Sequence, residues 1–74
     1  MQEKDREKIA LFRYGLIAPI LNGQVESKRD YLAEICSQVH QVPYRGDREY
    51  KPKTIEKWLK IYEKEGFDGL KPKS

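Results

Sequence analysis

The stretch Pro52-Lys53-Thr54-Ile55-Glu56-Lys57-Trp58-Leu59-Lys60-Ile61-Tyr62-Glu63-Lys64-Glu65-Gly66 decides the fold. Ile55, Trp58, Leu59 and Tyr62 recur at i, i+3, i+4 and i+7, which is one face of an amphipathic helix. Pro52 suits the first helical position, where a missing N–H costs nothing because helix starts leave that donor unpaired anyway. Gly66 suits the stop just past the last turn, and Phe67 then falls where it can pack back on Tyr62. Trp58 belongs to the apolar stripe and therefore reads as a core anchor rather than a ring free to stack on a base.

Two further helices follow from the same periodicity. From Glu3 the chain is rich in good helix formers, with Ile9, Phe12, Leu16 and Ile20 on one face and Glu3, Asp5 and Glu7 in the N-terminal turns. Pro19 is expected to end or kink this helix near Ala18, with Asn22-Gly23 as the following turn. Ser27, three residues before Asp30, resembles a capping box, and Leu32, Ile35, Cys36 and Val39 continue it as a second helix over residues 28–39. Tyr31 flanks that stripe, and Cys36 reads as a small core residue.

Between His40 and Lys51 the periodicity stops, and Pro43, Gly46 and Asp47 break it. Gly46-Asp47 is one way to turn a hairpin, but Pro43 and the irregular alternation favour an ordered loop. Tyr44 and Tyr50 are expected to pack over the core, and His40 either meets the carbonyl end of the second helix or lies in the loop. Asp68 to Ser74, with Gly69 and Pro72, reads as a linker leaving the domain. Three short amphipathic helices that cannot stand alone predict an all-α three-helix bundle with a long loop between helices two and three.

Composition narrows the function. Seventy-four residues with 38% hydrophobic content make one small domain with a thin core. One cysteine allows neither an internal disulfide nor a thiolate zinc cluster, which points to a reducing compartment. The longest apolar run, Leu16 to Leu21, falls far short of a membrane span and lacks signal-peptide flanks, so a soluble protein is expected. A single His and no glycine-rich phosphate loop leave no constellation for metal, nucleophilic or cofactor chemistry, so no cofactor and no catalytic residue are expected.

The net charge of +3 lies in one place. Residues 1–50 hold eight basic and eight acidic side chains, whereas residues 51–74 hold seven lysines against four acids. Lys53, Glu56, Lys57 and Lys60 face outward on the third helix, with Thr54 at the border. One reading is a solvated surface. The other is a helix in the major groove of duplex DNA, where Lys53 and Lys57 reach guanine acceptors or phosphates and Thr54 donates to a phosphate.

Residues 51–73 resemble a segment of the N-terminal helix-turn-helix domains of transposases and integrases of the DDE type. Thr54-Ile55, Trp58-Leu59, Tyr62, Gly66 and Gly69-Leu70-Lys71-Pro72-Lys73 carry the similarity, and Arg13 to Leu21 is similar to the arginine-containing first helix of those proteins. The resemblance implies a homeodomain-like arrangement and binding of double-stranded DNA at the ends of a mobile element. It also implies a catalytic domain following residue 74 in a longer parent, with residues 1–70 as the DNA-binding domain and 71–74 as the start of the linker. Recognition-helix positions carried over are Lys53, Thr54, Glu56, Lys57 and Lys60, with Lys73 in the exit linker. Lys51 stands where the family often has a Ser cap, and the Val39 to Pro52 connection is longer than a compact helix-turn-helix turn.

Lys28, Arg45, Arg48, Lys51 and Lys64 complete the expected phosphate contacts. The expected setting is the bacterial cytoplasm, on the nucleoid when bound, with no membrane partner and with homo-oligomers formed through the parent protein. Two alternatives remain open: a protein-interaction module for transposase assembly that uses the second helix and the 40–51 loop, and a stand-alone transcription regulator.

Overall fold

In the computed structural model, which describes residues 2–72, the chain is mostly helical. Helix α1 runs Glu3–Leu21, α2 Lys28–Cys36 and α3 Pro52–Glu65, with strands β1 (His40–Val42) and β2 (Gly46–Arg48) between α2 and α3 and a 3-10 turn, Phe67–Leu70, at the end. Three helices were expected. The antiparallel pair was not, so the all-α description is corrected to a helical domain carrying a small hairpin. Among the described residues no helix is long and apolar enough to cross a membrane.

Helix α1 passes through Pro19 instead of ending near Ala18. The N–H that proline lacks would have bonded the carbonyl of Gly15, which lies on the exposed side where solvent can serve it. Closure comes later, through Asn22 N–H to Ala18 O at 2.9 Å and Gln24 N–H to Pro19 O at 2.9 Å. Helix α2 starts as expected, with Ser27 Oγ accepting from Asp30 N–H at 3.3 Å. It ends at Cys36, three residues short of expectation, because its last carbonyls are taken by other donors. Ser37 Oγ donates to Glu34 O at 2.7 Å, and the His40 ring nitrogen Nε2 lies 2.8 Å from Ile35 O. Val39 thereby drops out of the stripe and is 58% exposed.

The hairpin pairs His40 with Arg48, Gln41 with Asp47 and Val42 with Gly46. Its turn is Pro43-Tyr44, closed by Arg45 N–H to Val42 O at 3.0 Å; Gly46-Asp47, expected as a turn if any formed, begins the second strand. Tyr44 sits at φ 66, in the left-handed region, and is exposed beside Lys8, so the expectation that it packs over the core fails. Tyr50 does pack, its ring centroid 5.0 Å from that of Trp58 and 6.0 Å from that of His40.

The core is Ala10 and Ile17 of α1, Leu32 and Ile35 of α2, Ile55, Trp58 and Leu59 of α3, and Leu70 of the 3-10 turn. Tyr31 ties α2 to α1 by donating its hydroxyl to Leu16 O at 2.7 Å, and partial burial, then Glu34, raises its pKa. Burial likewise raises the Cys36 thiol, a half-buried member of the core edge and so a poor nucleophile.

The tail overturns a further expectation. Asp68–Pro72 packs on α1 instead of leaving the domain: Arg13 Nη1 donates to Leu70 O at 2.9 Å, Arg6 Nε to Pro72 O at 3.0 Å, and Lys71 pairs with Glu3 and Asp68. Leu70 and Pro72 are buried. The expected linker position Lys73 lies outside the described residues.

Candidate nucleic-acid interface

Helix α3 begins without a side-chain cap. Lys51 holds the N-cap position with extended backbone, and its carbonyl accepts from Thr54 N–H at 2.9 Å. Opposite the core-facing stripe of buried Ile55, Trp58 and Leu59 and half-buried Tyr62, the exposed Lys53, Lys57, Lys60 and Lys64 follow at i, i+4, i+7 and i+11. At 3.6 residues per turn they fall within an arc of about 60° and form a ridge about 16 Å long. Among the described residues the ion pairs are Arg6–Glu3, Lys71–Glu3 and Lys71–Asp68, so none involves the ridge.

The ridge has two unlike flanks. Toward α1 and the hairpin tip lies a groove lined by Arg6, Arg13, Arg45, Thr54, Lys57 and Lys71. Arg13 reaches it from the inward face of α1, its guanidinium carbon 5.2 Å from the centre of the Trp58 ring. Burial, followed by the charge of Arg45, lowers its pKa, although it stays protonated at any physiological pH. Toward α2 lies a second depression, lined by Lys28 and Lys60 together with Glu56 and Glu63. Lys28 also borders Pro52 and Glu56 at the start of α3.

Of the sequence-derived candidates, Thr54, Lys57 and Arg45 come together in the first groove, whereas Glu56, Lys60 and Lys28 gather on the second flank. Lys53 heads the ridge, and Lys51 sits at the helix start. Arg48 is separated from both: it pairs with His40 across the hairpin and sits between Asp47 and Glu49 in a depression that also includes Val39. Arg13, Arg6 and Lys71 were missed as site residues. A signal for Arg13 was present, since it lies on the face of α1 that buries Ala10 and Ile17, three residues after one and four before the other. A cation placed among core positions must serve either a carbonyl or a ligand.

Among the described residues no three His, Cys, Asp or Glu side chains gather as a metal site. In comparisons with known proteins, the chain matched no family model, no curated protein and no solved structure.

Proposed function

We propose that this domain binds double-stranded DNA, with the lysine ridge of α3 facing the major groove. The observation that carries the reading is the ridge itself: four exposed lysines on one helix face, none held by a carboxylate among the described residues. A helix of this width fits the major groove, and its N-terminal residues, here Lys53, Thr54, Glu56 and Lys57, are those best placed to reach base edges. At the uncapped start of α3, Pro52 has no N–H and Thr54 and Ile55 donate to the Lys51 carbonyl, so the Lys53 N–H is the first-turn backbone donor left for a phosphate. Helices α2 and α3 pack on each other and serve as the second and third helices of a helix-turn-helix, the hairpin standing in for the compact turn. With the resemblance of residues 51–73, this supports recognition of mobile-element ends by the N-terminal module of a transposase or integrase.

Duplex binding should weaken steeply with salt. Four or five phosphate contacts correspond to a slope of about −4 in log K against log[salt]. Selection from a randomised duplex pool, followed by titration of the selected site at several salt concentrations, tests this. A flat salt dependence with no enriched sequence would sink the proposal.

A second reading rests on a different observation. Leu11, Val39 and Tyr44 are large apolar side chains at 62%, 58% and 58% exposure, and the latter two flank β1. A protein partner would cover them. Amide shifts confined to α2 and residues 40–51 on adding a partner protein, with none on adding duplex, would favour that reading.

A further inference from the structure

The groove between α1, the hairpin tip and α3 is divided by charge. At its tail end the cations are matched: Arg6 pairs with Glu3, and Lys71 with Glu3 and Asp68. At its hairpin end they are not. Arg13, Arg45 and Lys57 line the same groove as Glu65 and Asp68, yet none of the three has a carboxylate within ion-pair distance among the described residues. Arg13 is fixed there. One Nη1 donor is spent on Leu70 O, and the guanidinium carbon lies over the Trp58 ring, which leaves the remaining donors of the fork. The half-buried Thr54 adds a hydroxyl on the first turn of α3.

Like charges brought together without a counterion repel each other, and the repulsion is relieved by an anion seated among them. Three donors of this kind plus a hydroxyl match the tetrahedral oxygens of a phosphate group, which guanidinium recognises by paired hydrogen bonds. We infer that Arg13, Arg45, Lys57 and Thr54 form a phosphate-binding site, occupied by one backbone phosphodiester when α3 lies on duplex DNA. Occupancy by duplex rests on the DNA-binding proposal above; the site's affinity for phosphate does not. The lowered pKa of Arg13, caused by burial and then by Arg45, agrees with an electropositive site kept apart from carboxylates. A contact of this kind sets the register of α3 in the groove without reading sequence.

Two measurements on the intact chain test the site. In the first, duplex affinity is followed against salt for the parent, Arg45→Gln, Lys57→Gln and the control Lys4→Gln. All three changes remove one exposed charge, so none disturbs the core. Arg45→Gln and Lys57→Gln should each reduce the salt slope by about one and weaken every duplex sequence by the same factor, while Lys4→Gln changes it much less. In the second, sodium pyrophosphate is titrated while amide shifts and the emission of Trp58, the sole tryptophan, are recorded. Shifts should centre on Arg13, Arg45, Thr54 and Lys57. Pyrophosphate shifts at these residues without duplex binding would uphold the site for a free phosphate compound and overturn the DNA proposal. Duplex binding with a steep slope that Arg45→Gln and Lys57→Gln alter no more than Lys4→Gln, together with no pyrophosphate shift at the four residues, would overturn the site and leave the DNA proposal standing.

Discussion

The two flanks of α3 differ in how many cations they gather and in what surrounds them. On the α2 side, Lys28 and Lys60 share their surface with Glu56 and Glu63, so the local field is largely cancelled. On the α1 side, Arg13, Arg45 and Lys57 outnumber Glu65 and form no ion pair among the described residues, and the indole of Trp58 forms part of the groove's wall. Charge beside a low-dielectric wall acts at longer range than charge in open solvent. Helical periodicity gives α3 one outward face; the neighbours brought in by the fold decide which edge of it attracts an anion.

The largest effect should come from removing the wall. Trp58 is 6% exposed, packs on Tyr50 and supports Arg13. Trp58→Ala is expected to cost about 3–5 kcal/mol, enough to unfold much of so small a domain and abolish the difference between flanks. Urea unfolding followed by far-UV circular dichroism measures it, and a loss under ~1 kcal/mol would show that Trp58 does not anchor the core.

A narrower break acts on the floor of the α1 flank alone. A Cβ at Gly69 would lie 2.5 Å from Ile61 Cγ2 and 2.9 Å from Glu65 Cβ, and neither atom is the free end of a flexible chain. Gly69→Ala should therefore push the 3-10 turn off α3 and destabilise by about 1–3 kcal/mol. Thermal melts should fall accordingly; an unchanged Tm would mean that the turn tolerates displacement. On the other flank, Ser27→Ala removes the acceptor for Asp30 N–H at the start of α2, next to Lys28. About 1 kcal/mol should be lost, and the α1-side groove should be untouched. Amide shifts spreading to Arg45 or Thr54 in this variant would contradict the independence of the two flanks.

Much of this arrangement was legible in the residues. The stripe of α3, its proline start and its glycine stop emerged from spacing alone, as did the Ser27 cap, because these features are local. The hairpin was not legible: with three residues per strand and Tyr44 at positive φ, it has neither the alternation nor the turn residues that announce one. Its side chains are held by α1 instead, through Phe12 against His40 at 6.1 Å and Lys8 against Tyr44 at 5.9 Å, which are contacts distant in sequence. The tail misled for the same reason. Gly69, Pro72 and charged neighbours suggest a linker, yet Arg6 and Arg13 hold the carbonyls of Pro72 and Leu70 from more than fifty residues away. Outward-facing site residues were accessible to periodicity, whereas Arg13, an inward cation, acquires its role only once α1 lies beside α3.

The smallest effect sharpens the comparison by extending the unmatched charge toward the tail. Glu3 accepts from Lys71 and Arg6, and the hydrogen bond from Lys71 is the largest influence lowering its pKa below the ordinary 4.5. Lys71 is raised above its ordinary 10.5, by its bond to Glu3 first and by Asp68 second. A depressed carboxylate contributes stability above its unfolded pKa and loses it as pH falls through the folded one. A raised ammonium contributes fully below its unfolded pKa and loses it as pH rises through the folded one. The pair is therefore intact between pH 4.5 and 10.5 and weakens on either side. Glu3→Gln should melt slightly below the parent inside that window, and the gap should close on acidification below pH 4.5, once Glu3 of the parent is itself protonated. A double-mutant cycle with Lys71→Gln separates the pair from any interaction of Glu3 with the start of α1. With Arg6 released from Glu3 and Lys71 left to Asp68 alone, the salt slope for duplex should steepen by a fraction of a unit, and an unchanged slope would mean that the positive field felt by DNA ends at Arg13.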